Sequence, residues 1–367
     1  MELLYVGFVL LVLILLALDL GVFHRNTHVI AVREALGWSA LWIGLGLAFT
    51  LVVYVGYEHH WLGLGTSPDA TSAPITAGGV TYYNDGGSAA IKYLTGFVVE
   101  KSLAVDNIFV IAMIFAFLRV PPLYQHRVLF WGILGALVMR GIMIAVGAAL
   151  ITKVSWIIYV FGGFLILTGV KMLLVQSTQG DFEKNLLVRA VRRLFPVTER
   201  YHGKRFFVRA GTEASLAPPT PGTAAEPDRV VETARRGALL VTPLFLALVL
   251  IEFTDVIFAV DSIPAIFAIT TDAFLVFTSN VFAILGLRSL YFALAGMMDR
   301  FKYLKVSLSM VLMVIGVKMM THGYLKAWLG THFNIYVLAL VAAIIATGVV
   351  ASLLATAPGT PGRARAV

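Results

Sequence analysis

Cysteine is missing altogether from these 367 residues. Disulfides, thiolate metal sites and thiol redox chemistry are therefore excluded, and any metal held by the chain must sit on oxygen or imidazole ligands. Charge is nearly as scarce. Asp, Glu, Lys and Arg make up 13% of the chain, about half the share in soluble domains, while 59% is hydrophobic and the mean hydropathy is +0.88. That balance excludes an ordinary soluble domain and points to an all-α polytopic membrane protein. Acids are outnumbered, 20 against 28 bases. A cytoplasmic excess of Lys and Arg accounts for the surplus without a nucleic-acid partner. The start of the chain also lacks something: Met1-Glu2 supplies no basic leader, so the first apolar run reads as a retained helix rather than a cleaved signal.

What is present is a series of apolar runs long enough to span a bilayer. Nine are expected, near 2–23, 36–57, 91–118, 127–150, 155–175, 239–270, 275–298, 304–320 and 334–355. The segment 58–90 contains Asp69 and Asp85 but no Lys or Arg, whereas 176–238 carries eleven. With the N-terminus outside and the C-terminus inside, 20 of the 28 basic residues fall on the cytoplasmic side. The expected location is the inner (plasma) membrane. Within the basic loop, 185–195 has an apolar helical stripe with arginines off it, as in an interfacial helix. Residues 211–232, rich in Pro, Ala and Thr, read as a disordered linker.

One motif occurs twice: Glu100-Lys-Ser-Leu-Ala-Val-Asp106-Asn107 and Asp255-Val-Ile-Phe-Ala-Val-Asp261-Ser262. Each copy is followed by a span carrying an arginine, Arg140 or Arg288, and then by a span ending Gly-Val-Lys-Met, at Lys171 or Lys318. Three spans form one unit, 91–175 and then 239–320. Because three is odd, the second unit enters from the opposite side, which gives an inverted repeat of the kind that builds secondary transporters. The two spans in 1–57, the loops 58–90 and 176–238, and the last span in 321–367 lie outside it.

Ionised carboxylates at such depth cost roughly 2.5–3.5 kcal/mol each unless protonated, paired or bound to a cation. A proton-coupled cation carrier alternates between those three states. On an unbroken helix, six residues leave the two acids of one copy about 120° and about 9 Å apart. Either the helix breaks between them, or the site takes one acid from each copy. Pro264 frees the carbonyl of Val260 beside Asp261, and Asn107 offers an amide oxygen beside Asp106. Glu100, Asp106, Asn107, Asp255, Asp261 and Ser262 are thus the candidate ligands of a hard divalent ion, with Asp19 and Glu252 as possible additions. Arg140, Arg288, Lys171 and Lys318 are expected to balance charge. The plain alternative is a buried ionic lattice that fixes helix packing. Ser262 and Thr254 more commonly bond back to their own helix. No nucleophile or cofactor loop that would mark an enzyme is readable.

At these residues the chain resembles the TerC membrane protein family, named for tellurium resistance and including manganese exporters. The most specific stretches are Glu100 to Asn107, Arg200-Tyr-His-Gly, Pro243 to Ala265 and Thr278 to Arg288. The resemblance implies Mn²⁺ efflux from the bacterial cytoplasm, with the acids of both repeats as the metal site and manganese(II) as cargo rather than cofactor. Protons are the expected coupling ion. A non-transporting scaffold in tellurite or metal stress, or a carrier of another cation such as calcium, are the competing readings.

Overall fold

The computed structural model describes residues 2–21, 31–77, 79–154, 156–174, 193, 196–212, 228–295, 303–329 and 333–355. Its long helices are α1 (Glu2–Gly21), α2 (Val32–Glu58), α3 (Gly86–Leu118), α4 (Pro122–Lys153) and α5 (Ile157–Leu174). After the short α6 (Arg229–Thr233) come α7 (Pro243–Phe267), α8 (Ala273–Ile284), α9 (Leu287–Leu294), α10 (Leu304–Leu329) and α11 (Phe333–Ala355). Eight of them are long and apolar enough to cross a membrane. α8 and α9, bent by 41° at their junction, are long and apolar enough for a ninth crossing when taken together as one span. The chain is an all-α, multi-pass integral membrane protein, with exposed leucines and valines on its outer helix faces as lipid contact requires.

Local chemistry sets the ends. Asp85 caps α3 by accepting from the Ser88 N–H at 2.7 Å. Pro122 and Pro243 occupy first-turn positions of α4 and α7, where their missing N–H costs nothing. Gly286 adopts φ +79°, and a Cβ there would overlap Trp42 of α2, so the chain turns at this glycine.

Helix packing has the symmetry of a two-fold exchange. α3 packs on α8 as α7 packs on α4, and α3–α7, α4–α8 and α5–α10 meet across the centre. α5 and α10 approach at backbone distance: a Cβ on Gly316 would lie 2.8 Å from the Gly162 carbonyl oxygen.

Two connecting segments are folded rather than loose. In 58–85, the hairpin of β1 (Ile75–Ala77) and β2 (Val80–Tyr82) accompanies a buried knot around Asp69, and His60 stacks on Tyr82. Thr71, Asn84, Lys92, Thr270 and Thr271 all donate to Asp69, tying this cap to the α7–α8 corner. In the basic loop, β3 (Phe207–Arg209) pairs antiparallel with β4 (Leu239–Val241). Tyr201 donates to the Leu118 carbonyl at 2.6 Å, and Arg127 lies over the Phe206 ring, so this unit is docked on the α3–α4 turn. The expected linker is corrected in part, because Asp228 caps α6 and receives the Arg200 N–H. Positions 213–227, and the expected interfacial helix at 185–195 apart from Arg193, lie outside the described residues.

Candidate functional site

α3 and α7 run unbroken through both copies of the acid motif. The helix-break alternative is thereby eliminated, and each copy sends its two acids in different directions. Pro264 does not interrupt α7, which ends three residues later at Phe267.

The first acid of each copy converges on Arg140 of α4. Its Nη2 and Nε hold Asp255 in a two-point fork, at 2.9 Å to Oδ1 and 3.1 Å to Oδ2, while Nη1 contacts Glu100 Oε1. Asn107 donates to Asp255 Oδ1 at 3.3 Å, and Asn280 of α8 accepts from Arg140 at 3.4 Å. Ser262 reaches across from α7 to Glu100 Oε1 at 3.5 Å, whereas Thr254 bonds back to Leu250 in its own helix. Glu100 is fully buried and the Arg140 side chain nearly so. Two carboxylates thus face one guanidinium. Glu100 Oε2 and Asn107 Oδ1 are also buried without a hydrogen-bond donor. Beside them a narrow cleft, lined by Asn107, Thr254, Asp255, Gly132 and Ala136, has free space on the order of a water molecule.

The other predicted residues lie outside this centre. Glu252, one turn before Asp255, packs over Gly135 of α4, where a Cβ would overlap its carboxyl. Asp106 feels Lys305 at the start of α10. Asp261 accepts from Thr168 of α5 at 3.1 Å and feels Lys171, which is itself exposed on α5. Arg288 does not reach either motif; it pairs with Asp19 of α1 at 2.9 Å. Lys318 is buried and donates to Asn334 at 3.4 Å. Among the described residues, no three His, Asp or Glu side chains stand close enough to hold one metal ion. In this conformation Glu100 and Asp255 are held by Arg140, with Asn107 donating to Asp255.

Several groups escaped sequence reasoning. Asn280, Lys101 and the Asp69–Lys92 knot all lie in or beside the bundle. Lys101 was hidden by its motif, where it reads as the residue between two acids. Asp272, after Thr270-Thr271 and before an apolar run, is a readable N-cap: it accepts from the Phe274 N–H at 3.0 Å.

The model of the integral membrane protein TerC family matches residues 85–359. An uncharacterized membrane protein, STKORF319, of Myxococcus xanthus is 44% identical over 96% of this chain and 92% of its own length. Proteins described as a proposed membrane-bound redox modulator, Alx, from Salmonella typhi and Escherichia coli K12 are each 40% identical over 92% of this chain, covering 93% and 92% of their own lengths. No solved structure matches.

Proposed function

The chain belongs to the TerC family of integral membrane proteins, and from that premise we propose that it is a secondary transporter exporting a divalent cation, manganese(II), from the cytoplasm. The reading includes an inverted repeat, α3–α5 against α7–α10, in the inner membrane with the N-terminus outside, and protons as the coupling ion. The observation that carries it is the Arg140 bridge. A single guanidinium bridges the first acid of each repeat, Glu100 and Asp255, at the place where the two repeats cross. A cation entering from the Asn107–Asp255 cleft competes with that guanidinium for the same oxygens. Arg140 therefore holds the charge of the empty carrier and gives way when cargo arrives, with Asn280 as its remaining partner.

Glu100, Asp255, Asn107 and Ser262 form the inner ligand set; Asp106, Asp261, Glu252 and Asp19 line the approaches. Carboxylate, amide and hydroxyl oxygens suit a hard divalent ion. They also repel an oxyanion such as tellurite, because acids outnumber bases at the centre. A redox role, which the name of the Alx relatives suggests, has no thiol to act through in this cysteine-free chain. Metal flux into proteoliposomes tests the proposal, across Mn²⁺, Mg²⁺, Ca²⁺, Fe²⁺ and tellurite. Mn²⁺ movement that is lost in Glu100→Gln and Asp255→Asn is expected; wild-type flux in both variants at matched incorporation would sink it.

A further inference from the structure

The group least expected inside the bundle is the ammonium of Lys101. It follows Glu100 on α3 and so points about 100° away from the Arg140 centre. Nζ donates to the carbonyl oxygens of Ala283 at 3.0 Å and Leu285 at 3.1 Å, on the two sides of the point where α8 ends. α8 stops there because Gly286 takes a left-handed conformation against Trp42. The Leu285 N–H still bonds to Val281, but the ladder resumes only with Leu290 bonding to Gly286. The carbonyls of Ala283 and Leu285 are left without a helical donor, at the negative end of a half-helix dipole. In broken membrane spans such carbonyl ends coordinate cations.

The lysine and the break each occur once, and in different repeats. The residue matching Lys101 in the second copy is Val256, and α4, which matches the broken span, is continuous. Each compensates for the other across the α3–α8 contact.

We infer that the α8–α9 junction is a site for a small monovalent cation of the ammonium class, and that its occupant is built into the chain as Lys101. The tethered ammonium fixes the bend. Lys101 is a positioning residue: α8 carries Asn280, the partner of Arg140, and α9 carries Arg288, the partner of Asp19, so the bend sets where both stand. Removing the side chain opens the site to a free alkylammonium ion.

The absence of native cysteine gives a clean probe. Ser289→Cys in the full-length protein places one thiol on α9, at a position only 8% exposed and in place of a hydroxyl that donates to the Gly286 carbonyl at 2.8 Å, so its alkylation rate, compared within that background, reports loosening of the bend. In that background Lys101→Ala raises the rate by about ten- to a hundredfold, as expected when a charge-assisted bond is lost. Propylammonium in the millimolar range returns the rate towards the parental one. Lys101→Met raises the rate but is indifferent to propylammonium, because its own side chain fills the space. Lys101→Arg stays near the parental rate. A parental rate in Lys101→Ala, or a raised rate that propylammonium does not lower, overturns the inference. Should Lys101→Ala not fold, equal rates in Lys101→Met and Lys101→Arg overturn it.

Discussion

The two repeats share a motif but not a structure. In the first, the arginine of the second helix gathers carboxylates: Arg140 holds both Glu100 and Asp255. In the second, the corresponding Arg288 turns away to Asp19 on α1, outside the repeat. α4 is one helix, while its counterpart is cut into α8 and α9. Lys171 is exposed; Lys318 is buried. Sequence symmetry therefore fixes which helices face each other, and single residues fix what each half does. Opposite Lys101 the second copy has Val256, and opposite Gly286 the first has Val138, two residues before Arg140; the lysine and the glycine account for the bend. Within the proposed function, the first half is the gripping side and the broken span of the second is the part able to move.

The largest test of this asymmetry is at the acids. Glu100→Gln or Asp255→Asn is expected to lower Mn²⁺ flux by about 100-fold or more, and Asp106→Asn or Asp261→Asn by about tenfold. Equal losses at all four positions, measured in proteoliposomes, would remove the distinction between an inner set and its approaches. Next come the arginines. Arg140→Met strips the cation from two buried carboxylates, a change of the kind that costs about 3–5 kcal/mol. Arg288→Met removes one ion pair, to Asp19, whose side chain is 15% exposed, so a smaller loss than at Arg140 is expected. Thermal unfolding in detergent compares the two, and similar losses would mean that both arginines do the same work.

The glycines sharpen the contrast at smaller cost. Gly286→Ala must place a side chain at positive φ and against Trp42, for about 2 kcal/mol. Gly135→Ala, on the unbroken α4, meets the movable carboxyl of Glu252, and under about 1 kcal/mol is expected. A Gly135→Ala variant less stable than Gly286→Ala would show that the bend is not what the junction glycine protects.

Much of this architecture is legible in the amino-acid sequence. Nine apolar runs correspond to eight long helices and one bent pair, since length and composition are what a bilayer selects. Helix geometry left open two arrangements of the acids, and the continuous α3 and α7 take the one in which different copies meet. Pro264, of the residue type best known for interrupting helices, frees the Val260 carbonyl in sequence terms, but α7 accommodates it one turn from its own end. The true break rests on Gly286, whose meaning depends on Trp42 244 positions earlier, a contact that no local pattern encodes. Lys101 was unreadable for the same reason: its partners are backbone carbonyls, which carry no sequence signal. The knot at Asp69 joins a loop to a helix corner 201 residues away.

That knot supplies a last effect, one that lies outside the spans and shows only across a range of pH. Asp272 accepts from the Tyr57 hydroxyl at 2.9 Å and caps α8, yet burial, followed by repulsion from Asp69, pushes its carboxyl up to about 6. Asp69 goes the other way: burial would raise it, but the Lys92 ammonium and the Thr270 hydroxyl hold it below the ordinary carboxylate range. An unfolded aspartate titrates near 4, so between about pH 4 and 6 the folded protein binds the extra proton at Asp272. Stability from this group is full below pH 4 and is lost as the pH rises through 6, by roughly 3 kcal/mol at most. The contribution of Asp69 has the opposite sign and disappears only as the pH falls below about 4, outside that window. Asp272→Asn keeps an N-cap oxygen and removes the charge. Its unfolding temperature should therefore decline less between pH 4 and 7 than that of the parental protein, and the two curves should separate most at pH 7, with the variant higher. Parallel curves would show that the α7–α8 corner carries Asp272 ionised at no cost, and that the buried knot of the cap is electrostatically as settled as the Arg140 centre.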